Sequence, residues 1–219
     1  SVITNNSGAN ASNTEANYIK VDGDFGTIIL GDYDDSAATA MDGALGANND
    51  IETQGGNTGA STVSGIAGDA DITWMSPSLS GFKVGVSKDL TDSDASLNDG
   101  KTDMAVTYSI GGVSVYYGNA DDDTSVGVKG SVAGLTIAMG NKTQKGTTVK
   151  ANDVAVKYTL GNGVTLAAYS ASGTTAAGAK VKASNIGASY AIVPGVKLNA
   201  ESGKLDAANY TWIAVNMSF

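Results

Sequence analysis

The chain has 219 residues, a formal net charge of −9 and 29 glycines, but only 16% of its residues are charged. It contains no cysteine and no histidine, and its 13 basic residues are all lysine. This composition excludes disulfides, Cys/His zinc sites and Ser-His-Asp or Cys-His catalysis, and it leaves no basic patch that would bind a nucleic acid.

The chain starts with a polar stretch and then becomes regular. Residues 1–16 are rich in Asn, Ser, Thr, Gly and Ala and predict a loop. After them, bulky apolar residues alternate with small or polar ones, which predicts strands with two different faces. We predict about thirteen strands, at residues 18–21, 25–33, 72–76, 82–88, 104–110, 113–120, 125–132, 135–142, 154–160, 164–170, 184–193, 196–202 and 209–219.

One long stretch, residues 34–71, lacks strand periodicity. A connection of this length inside a compact chain is either functional or a sign of a wrong assignment, and we interpret it as functional because the rest of the chain is regular. Residues 36–41 within it predict a short helix with Asp35 or Ser36 as its N-cap.

The two faces and the connections together predict the fold class. The face opposite Phe82, Val84 and Val86 carries residues too small and too polar to form a core. Tight Gly, Asn and Pro turns alternate with longer polar links, so short turns fall on one rim and long loops on the other. This pattern is typical of an all-β, transmembrane antiparallel β-barrel, here a single domain over residues 1–219.

The last strand carries a further signal. Ile213, Val215, Met217 and Phe219 lie on one face, and the chain ends at the aromatic residue. This resembles the assembly signal that the barrel-assembly machinery reads in Gram-negative outer membranes. The alternative is an edge strand that happens to end in Phe.

Two segments carry a resemblance to a family. Residues 24–31, DFGTIILG, look like the strand that leads into loop 3 of general bacterial porins, especially the alphaproteobacterial type, and residues 72–82, ITWMSPSLSGF, look like the strand and turn after it. The resemblance covers the whole chain. It implies a homotrimer in the outer membrane of a Gram-negative bacterium, in contact with the lipid bilayer and lipopolysaccharide.

The resemblance also implies a strand count. With residues 34–71 as the inward-folded constriction loop 3, the thirteen predicted strands correspond to strands four to sixteen of about sixteen. Residues 1–16 would then be extracellular loop 2, which in porins latches onto the neighbouring subunit. We therefore expect that the chain lacks the first three strands; the alternatives are a miscount or a smaller closed barrel.

The resemblance to a porin constriction selects the candidate site. Alternation places several lysines, including Lys197, on the small-residue face, and carboxylates of the long loop would face them. The alternative is that these carboxylates simply form a solvated loop surface. The predicted constriction residues are Asp42, Asp50, Glu52, Asp69, Asp71, Lys20, Lys83, Lys129 and Lys157. Porin constrictions usually present clustered Arg, which is absent here, so the sign of selectivity stays open, while the excess of acids favours a weak cation preference. No cofactor is predicted, although the carboxylates leave Ca²⁺ as an option without an EF-hand loop.

The function favoured by these observations is a water-filled channel for the passive diffusion of ions and small hydrophilic solutes. The alternative is a secreted β-rich surface-layer or adhesin protein, which the Gly/Ala/Ser/Thr/Asn-rich composition also permits. An enzyme is not expected, because no activated Ser and no carboxylate pair stands out.

Overall fold

The computed structural model describes residues 18–33, 35–42, 70–90, 100–120, 122–147, 149–175 and 177–218. Within these residues, no helix is both long and apolar enough to cross a membrane. The described elements are β1 (Tyr18–Gly23), β2 (Gly26–Tyr33), α1 (Ala37–Asp42), β3 (Ala70–Met75), β4 (Phe82–Lys88), β5 (Thr102–Ile110), β6 (Val113–Ala120), β7 (Asp123–Val132), β8 (Leu135–Gln144), β9 (Lys150–Thr159), β10 (Val164–Thr174), β11 (Lys180–Val193), β12 (Val196–Leu205) and β13 (Ala208–Met217).

The described strands form one antiparallel sheet in strict chain order, from β1 to β13. Tight turns such as Gly111-Gly112, where both residues have positive φ, connect alternate pairs on one rim. Among the described residues, β1 pairs only with β2 and β13 only with β12, so the sheet is open. The predicted all-β antiparallel architecture and its thirteen strands are confirmed.

The two faces of the sheet differ as the alternation predicts. Val128 lies opposite Val115 on one side and Met139 on the other, and all three side chains are exposed on the outer face. On the inner face, Ala105 and Ala138 are buried. Bulky apolar side chains therefore point away from the concave side and do not pack together inside it. Membrane β-barrels have this arrangement, with apolar residues facing the lipid and polar residues facing the interior.

Most strands that are longer than predicted extend towards the rim with the longer links, whereas β1 extends by two residues, to Gly23, towards a short turn. β9 begins at Lys150 instead of residue 154, β10 ends at Thr174 instead of residue 170, and β11 begins at Lys180 instead of residue 184. Lys150 and Lys180 both pair with Thr174, so the ladder continues where alternation has stopped. The physical reason is that apolar residues mark only the part of a strand that faces hydrocarbon, whereas backbone pairing also continues outside it.

The predicted end of the long loop also differs from the structure. β3 begins at Ala70, so the last two residues of the predicted loop 34–71 belong to a strand. Residues 1–16 lie outside the described residues, as do most of this loop and Phe219 of the predicted assembly signal. Ile213, Val215 and Met217 of that signal share the outer face of β13 and are exposed, as predicted.

Candidate functional site

A short helix begins the long connection after β2. The Ser36 hydroxyl accepts a hydrogen bond from the Thr39 N–H at 3.2 Å, and the Ser36 carbonyl accepts one from the Ala40 N–H at 2.8 Å. Alanine is the best helix former, and a serine N-cap satisfies one of the free N–H groups at the start of a helix. The predicted helix and its Ser36 cap are therefore confirmed.

The helix lies against the inner face of the sheet, on β3 to β6. The Ala37 N–H donates a 2.8 Å hydrogen bond to the Ser87 hydroxyl of β4, and the Tyr116 hydroxyl of β6 donates one of 2.8 Å to the Ala38 carbonyl. Both bonds are buried. The first turn of α1 is thus fixed to the sheet through its own backbone.

The sheet has a shallow seat for this helix. A Cβ atom at Gly85 would lie 2.6 Å from the Met41 sulfur and 3.0 Å from the Ala37 Cβ, so only glycine lets α1 approach this closely. A small apolar cluster completes the contact and consists of Ala38, Met41, Ala105, Tyr116 and Ala120, with Met75 packed against it.

The predicted lysines lie on this same inner face. Lys20 is opposite the buried Ile29, and Lys83 is opposite Thr107. By the same register, Lys129 is opposite Ala138, Lys157 opposite Ala167 and Lys197 opposite Asn216. In the part of the chain that the structure describes, no carboxylate forms an ion pair with Lys20, Lys83 or Lys129. Lys83 lies on the same face of β4 as Gly85, which contacts α1, and is two residues away from it.

The predicted carboxylates are distributed differently. Asp42 is the last residue of α1, while Asp50, Glu52 and Asp69 lie outside the described residues. Asp71 lies in β3, and its carboxylate accepts a 2.7 Å hydrogen bond from the Leu90 N–H. This bond ties β3 to the link that follows β4, a structural role that the prediction did not include.

Sequence reasoning missed a second polar group on the inner face, at β11 to β13. Oε1 of the buried Glu201 accepts hydrogen bonds from the Tyr210 hydroxyl and, at 3.1 Å, from the Asn185 amide. The Tyr210 ring lies over Gly203, its partner across the strands. Alternation from Lys197 through Asn199 would have placed Glu201 on this face, but nothing in the sequence indicates its partners.

A third polar contact lies at the rim that carries the longer links. Lys142 of β8 forms a 2.5 Å ion pair with Asp123 of β7, also on the inner face. Among the described residues, no three carboxylates lie close enough together to hold a metal ion. The option of a Ca²⁺ site therefore gains no support from this part of the chain.

Comparison with known proteins agrees with this architecture. A family model described as Gram-negative porin matches residues 2–209. No curated protein matches the sequence.

Solved structures of outer-membrane proteins and porins have the same fold, among them the following three. A loop L8 deletion mutant of OmpT, an outer membrane protein of Vibrio cholerae, has a TM-score of 0.63 at 16% identity, with 92% of this chain and 78% of that chain covered. OmpF of Salmonella typhi in complex with daunomycin has a TM-score of 0.63 at 14% identity, with 87% and 73% covered. An anion-selective porin from Comamonas acidovorans has a TM-score of 0.59 at 14% identity, with 93% and 73% covered. At these identities the likeness shows the fold, whereas the family match covers nearly the whole chain, so this chain belongs to the Gram-negative porin family and is a β-barrel protein of the outer membrane.

Proposed function

We propose that the protein forms a water-filled channel for the passive diffusion of ions and small hydrophilic solutes, without catalytic activity. The observation that carries the proposal is the inner face of the sheet, where small side chains and lysines replace the apolar core that a soluble sheet would need. A barrel as wide as those of the porin family is too wide for side chains to fill, so water occupies its interior. The helix α1 then limits the passage from one side, because it is held against the inner face of β3 to β6.

The lysines of the inner face act on ions only weakly. At about 8 Å in water, two unit charges interact by roughly 0.5 kcal/mol, and salt reduces this further. The ammonium groups of Lys20, Lys83 and Lys129 therefore change the local concentration of anions and cations by small factors. The net charge of −9 favours a weak preference for cations, which these lysines reduce.

Planar-bilayer recording of the purified protein tests the channel. Stepwise conductance increases after addition of folded protein are expected, and a potassium chloride gradient across the membrane gives the sign of selectivity from the reversal potential. Folded, membrane-inserted protein that never produces conductance steps would refute the proposal.

We also propose a homotrimer that contacts lipopolysaccharide, as the porin family favours. Chemical cross-linking of the protein in membranes, followed by heat denaturation, is expected to give bands up to three subunits and no higher. Because the chain belongs to an outer-membrane family, we favour this function over the alternative of a secreted surface-layer or adhesin protein.

A further inference from the structure

The polar group around Glu201, on the inner face of β11 to β13, holds a carboxylate that is only partly satisfied. Glu201 is 4% exposed. Both of its hydrogen bonds, from Asn185 and Tyr210, go to Oε1, and within the described residues Oε2 accepts none. Charged side chains are rarely this buried unless they are paired. One oxygen of this carboxylate is therefore left for a further donor or for a cation.

The lysines of the inner face do not neutralise Glu201. Lys197 is four residues away along β12, which is about 13 Å at the usual rise of a strand. Lys157 is in the same row across the sheet, but Ala167 and Gly187 lie between, so three strand spacings give about 14 Å. Within the described residues Glu201 forms no ion pair. The side chains around it thus leave its negative charge without a counter-ion.

An aromatic ring lies directly beside this carboxylate. Trp212 of β13 is opposite Glu201, so their Cβ atoms are about 4.5–5.5 Å apart. Aromatic residues of membrane barrels typically form girdles on the lipid-facing side, whereas Trp212 faces the interior. Its indole is half-buried and makes no hydrogen bond within the described residues, so it can rotate to admit a ligand. Together with the Tyr210 ring, which lies over Gly203, it gives Glu201 an aromatic border.

A buried amide completes the group. Asn199 is 1% exposed and lies diagonally across from Trp212 on the same face, at about 7–8 Å. In the part of the chain that the structure describes, neither its Oδ1 nor its Nδ2 has a hydrogen-bond partner. Most buried polar side-chain atoms in proteins have such a partner. This amide is therefore available to a polar group of a ligand.

We infer that this group is a binding site for a compact organic cation with a quaternary ammonium group, formed by Asn199, Glu201, Tyr210 and Trp212. The carboxylate would face the positive charge, the two rings would contact the alkyl surface around it, and the amide would bind a hydroxyl of the solute. The inference rests on the proposed channel, through which the solute would reach the site, and it names a substrate class for that channel.

Two other ligand classes fit the group less well. A metal ion needs several oxygen ligands, and among the described residues no three carboxylates lie close together. The rings of Tyr210 and Trp212 would add no metal ligands. A neutral sugar would leave the charge of Glu201 without a counter-ion. An organic cation uses both the charge and the rings.

Tryptophan fluorescence of the folded protein in uncharged detergent tests the site. The chain has two tryptophans, so W74F leaves Trp212 as the only emitter. The probes are choline chloride, its neutral analogue in which carbon replaces the charged nitrogen, and sodium chloride. Choline is expected to shift the emission saturably, the neutral analogue to bind at least about tenfold more weakly, and sodium to leave the signal unchanged.

The charge is tested by E201Q in the W74F background. It keeps the acceptor for Asn185 and Tyr210 but loses the charge, so choline is expected to bind at least about tenfold more weakly. The matched control is D22N, which removes an exposed inner-face carboxylate of β1 and is expected to bind choline as W74F does. The electrophoretic shift on heating verifies that each variant is folded.

Three results would contradict the inference. Equal choline affinity in E201Q and D22N would overturn the site. Equal affinity for choline and its neutral analogue would overturn the assignment to a cation, and displacement of choline by an equal concentration of sodium would overturn the preference for an organic one.

Calorimetric titration with choline tests the ring. Trp212→Leu is expected to lose at least about threefold in affinity, whereas Trp74→Leu, on the outer face, is expected to bind as the parent does. Equal affinity in the two variants would remove the ring from the site. Planar-bilayer recording of the parent reports separately on the channel. Conductance without choline binding would refute the site alone, and choline binding without conductance would refute the channel alone.

Discussion

The ring of Tyr116 lies over Gly118, two residues further along the same face of β6, and a side chain at Gly118 would overlap the Tyr116 hydroxyl. In this position the hydroxyl reaches the carbonyl of Ala38 at 2.8 Å. A glycine on the sheet and a phenol lying over it thus work as a pair that holds α1.

Tyr116→Phe is expected to loosen α1 without removing the aromatic packing. The Ala38 carbonyl would keep its bond within the helix but lose the Tyr116 hydroxyl, and one hydrogen bond of this kind contributes about 0.5–1.5 kcal/mol. Single-channel recordings are expected to show larger current fluctuations in the open state. Tyr117→Phe, one residue away on the outer face, is the control and is expected to leave the recordings unchanged. Equal noise in the two variants would contradict the proposed attachment.

Gly85→Val is expected to push α1 away from the sheet and towards the pore axis. The added side chain would meet Ala37 and Met41, and overpacking of this kind typically costs about 1–3 kcal/mol. A lower single-channel conductance is therefore expected. Gly130→Val is a control, since the nearest atom to a Cβ there is a Val113 methyl group at 3.8 Å. If both variants conduct like the parent, the seat at Gly85 does not position the helix.

Lys83→Glu is expected to shift selectivity towards cations. Lys83 lies on the inner face two residues from the seat of α1, and a change of two charges alters local ion concentrations by a factor of about two to five at distances near 8 Å. Under a salt gradient, the reversal potential is expected to move in the cation-selective direction. Lys145→Glu, in the exposed link after β8, is expected to shift it much less. A shift of the same size in both variants would indicate an effect of net charge instead of position.

Val128→Lys is expected to impair the barrel, whereas Thr165→Lys is expected to be tolerated. Val128 is exposed on the outer face, where a lysine near the middle of the bilayer costs about 2–4 kcal/mol. Thr165 lies on the inner face, opposite Ser189, where water would solvate the ammonium group. Denaturant unfolding in lipid vesicles compares the two variants. Equal destabilisation would mean that the two faces are assigned incorrectly.

Tyr210→Phe is expected to lower the resistance of the protein to unfolding. The substitution removes one of the two donors to the buried Glu201 carboxylate, and hydrogen bonds to charged groups contribute about 1.5–3 kcal/mol. Thermal unfolding followed by the electrophoretic shift of the folded barrel measures this. Tyr190→Phe, on the outer face, is the control and is expected to unfold like the parent. Identical unfolding temperatures would show that the bond to Glu201 does not stabilise β12 and β13.

The sequence was sufficient for features that depend on local periodicity. The alternation that separates Val128 from Lys129 predicts both the strand and the side of the sheet on which each residue lies. The serine cap of α1 was likewise predictable, because Ser36 and Thr39 are close in the chain. Strand ends such as Lys150 and Thr174 were not, because alternation stops where hydrocarbon stops.

The contacts that hold the candidate site were beyond sequence reasoning for a different reason. Ser87 and Tyr116 bond to α1 across 50 and 78 residues, and alternation assigns both to the inner face without indicating what they contact. Glu201 was visible as an inner-face carboxylate, but its bond to Tyr210 depends on the register of β12 and β13. Long-range pairs of this kind are settled by tertiary packing.

The sheet holds α1 through the N–H of Ala37, which every residue except proline possesses, and the carbonyl of Ala38, which every residue possesses. The helix can therefore exchange most of its outward side chains during evolution and still remain anchored. The side chains that α1 presents to the interior and the position of the helix are therefore separable traits, so related chains can change the first while keeping the second.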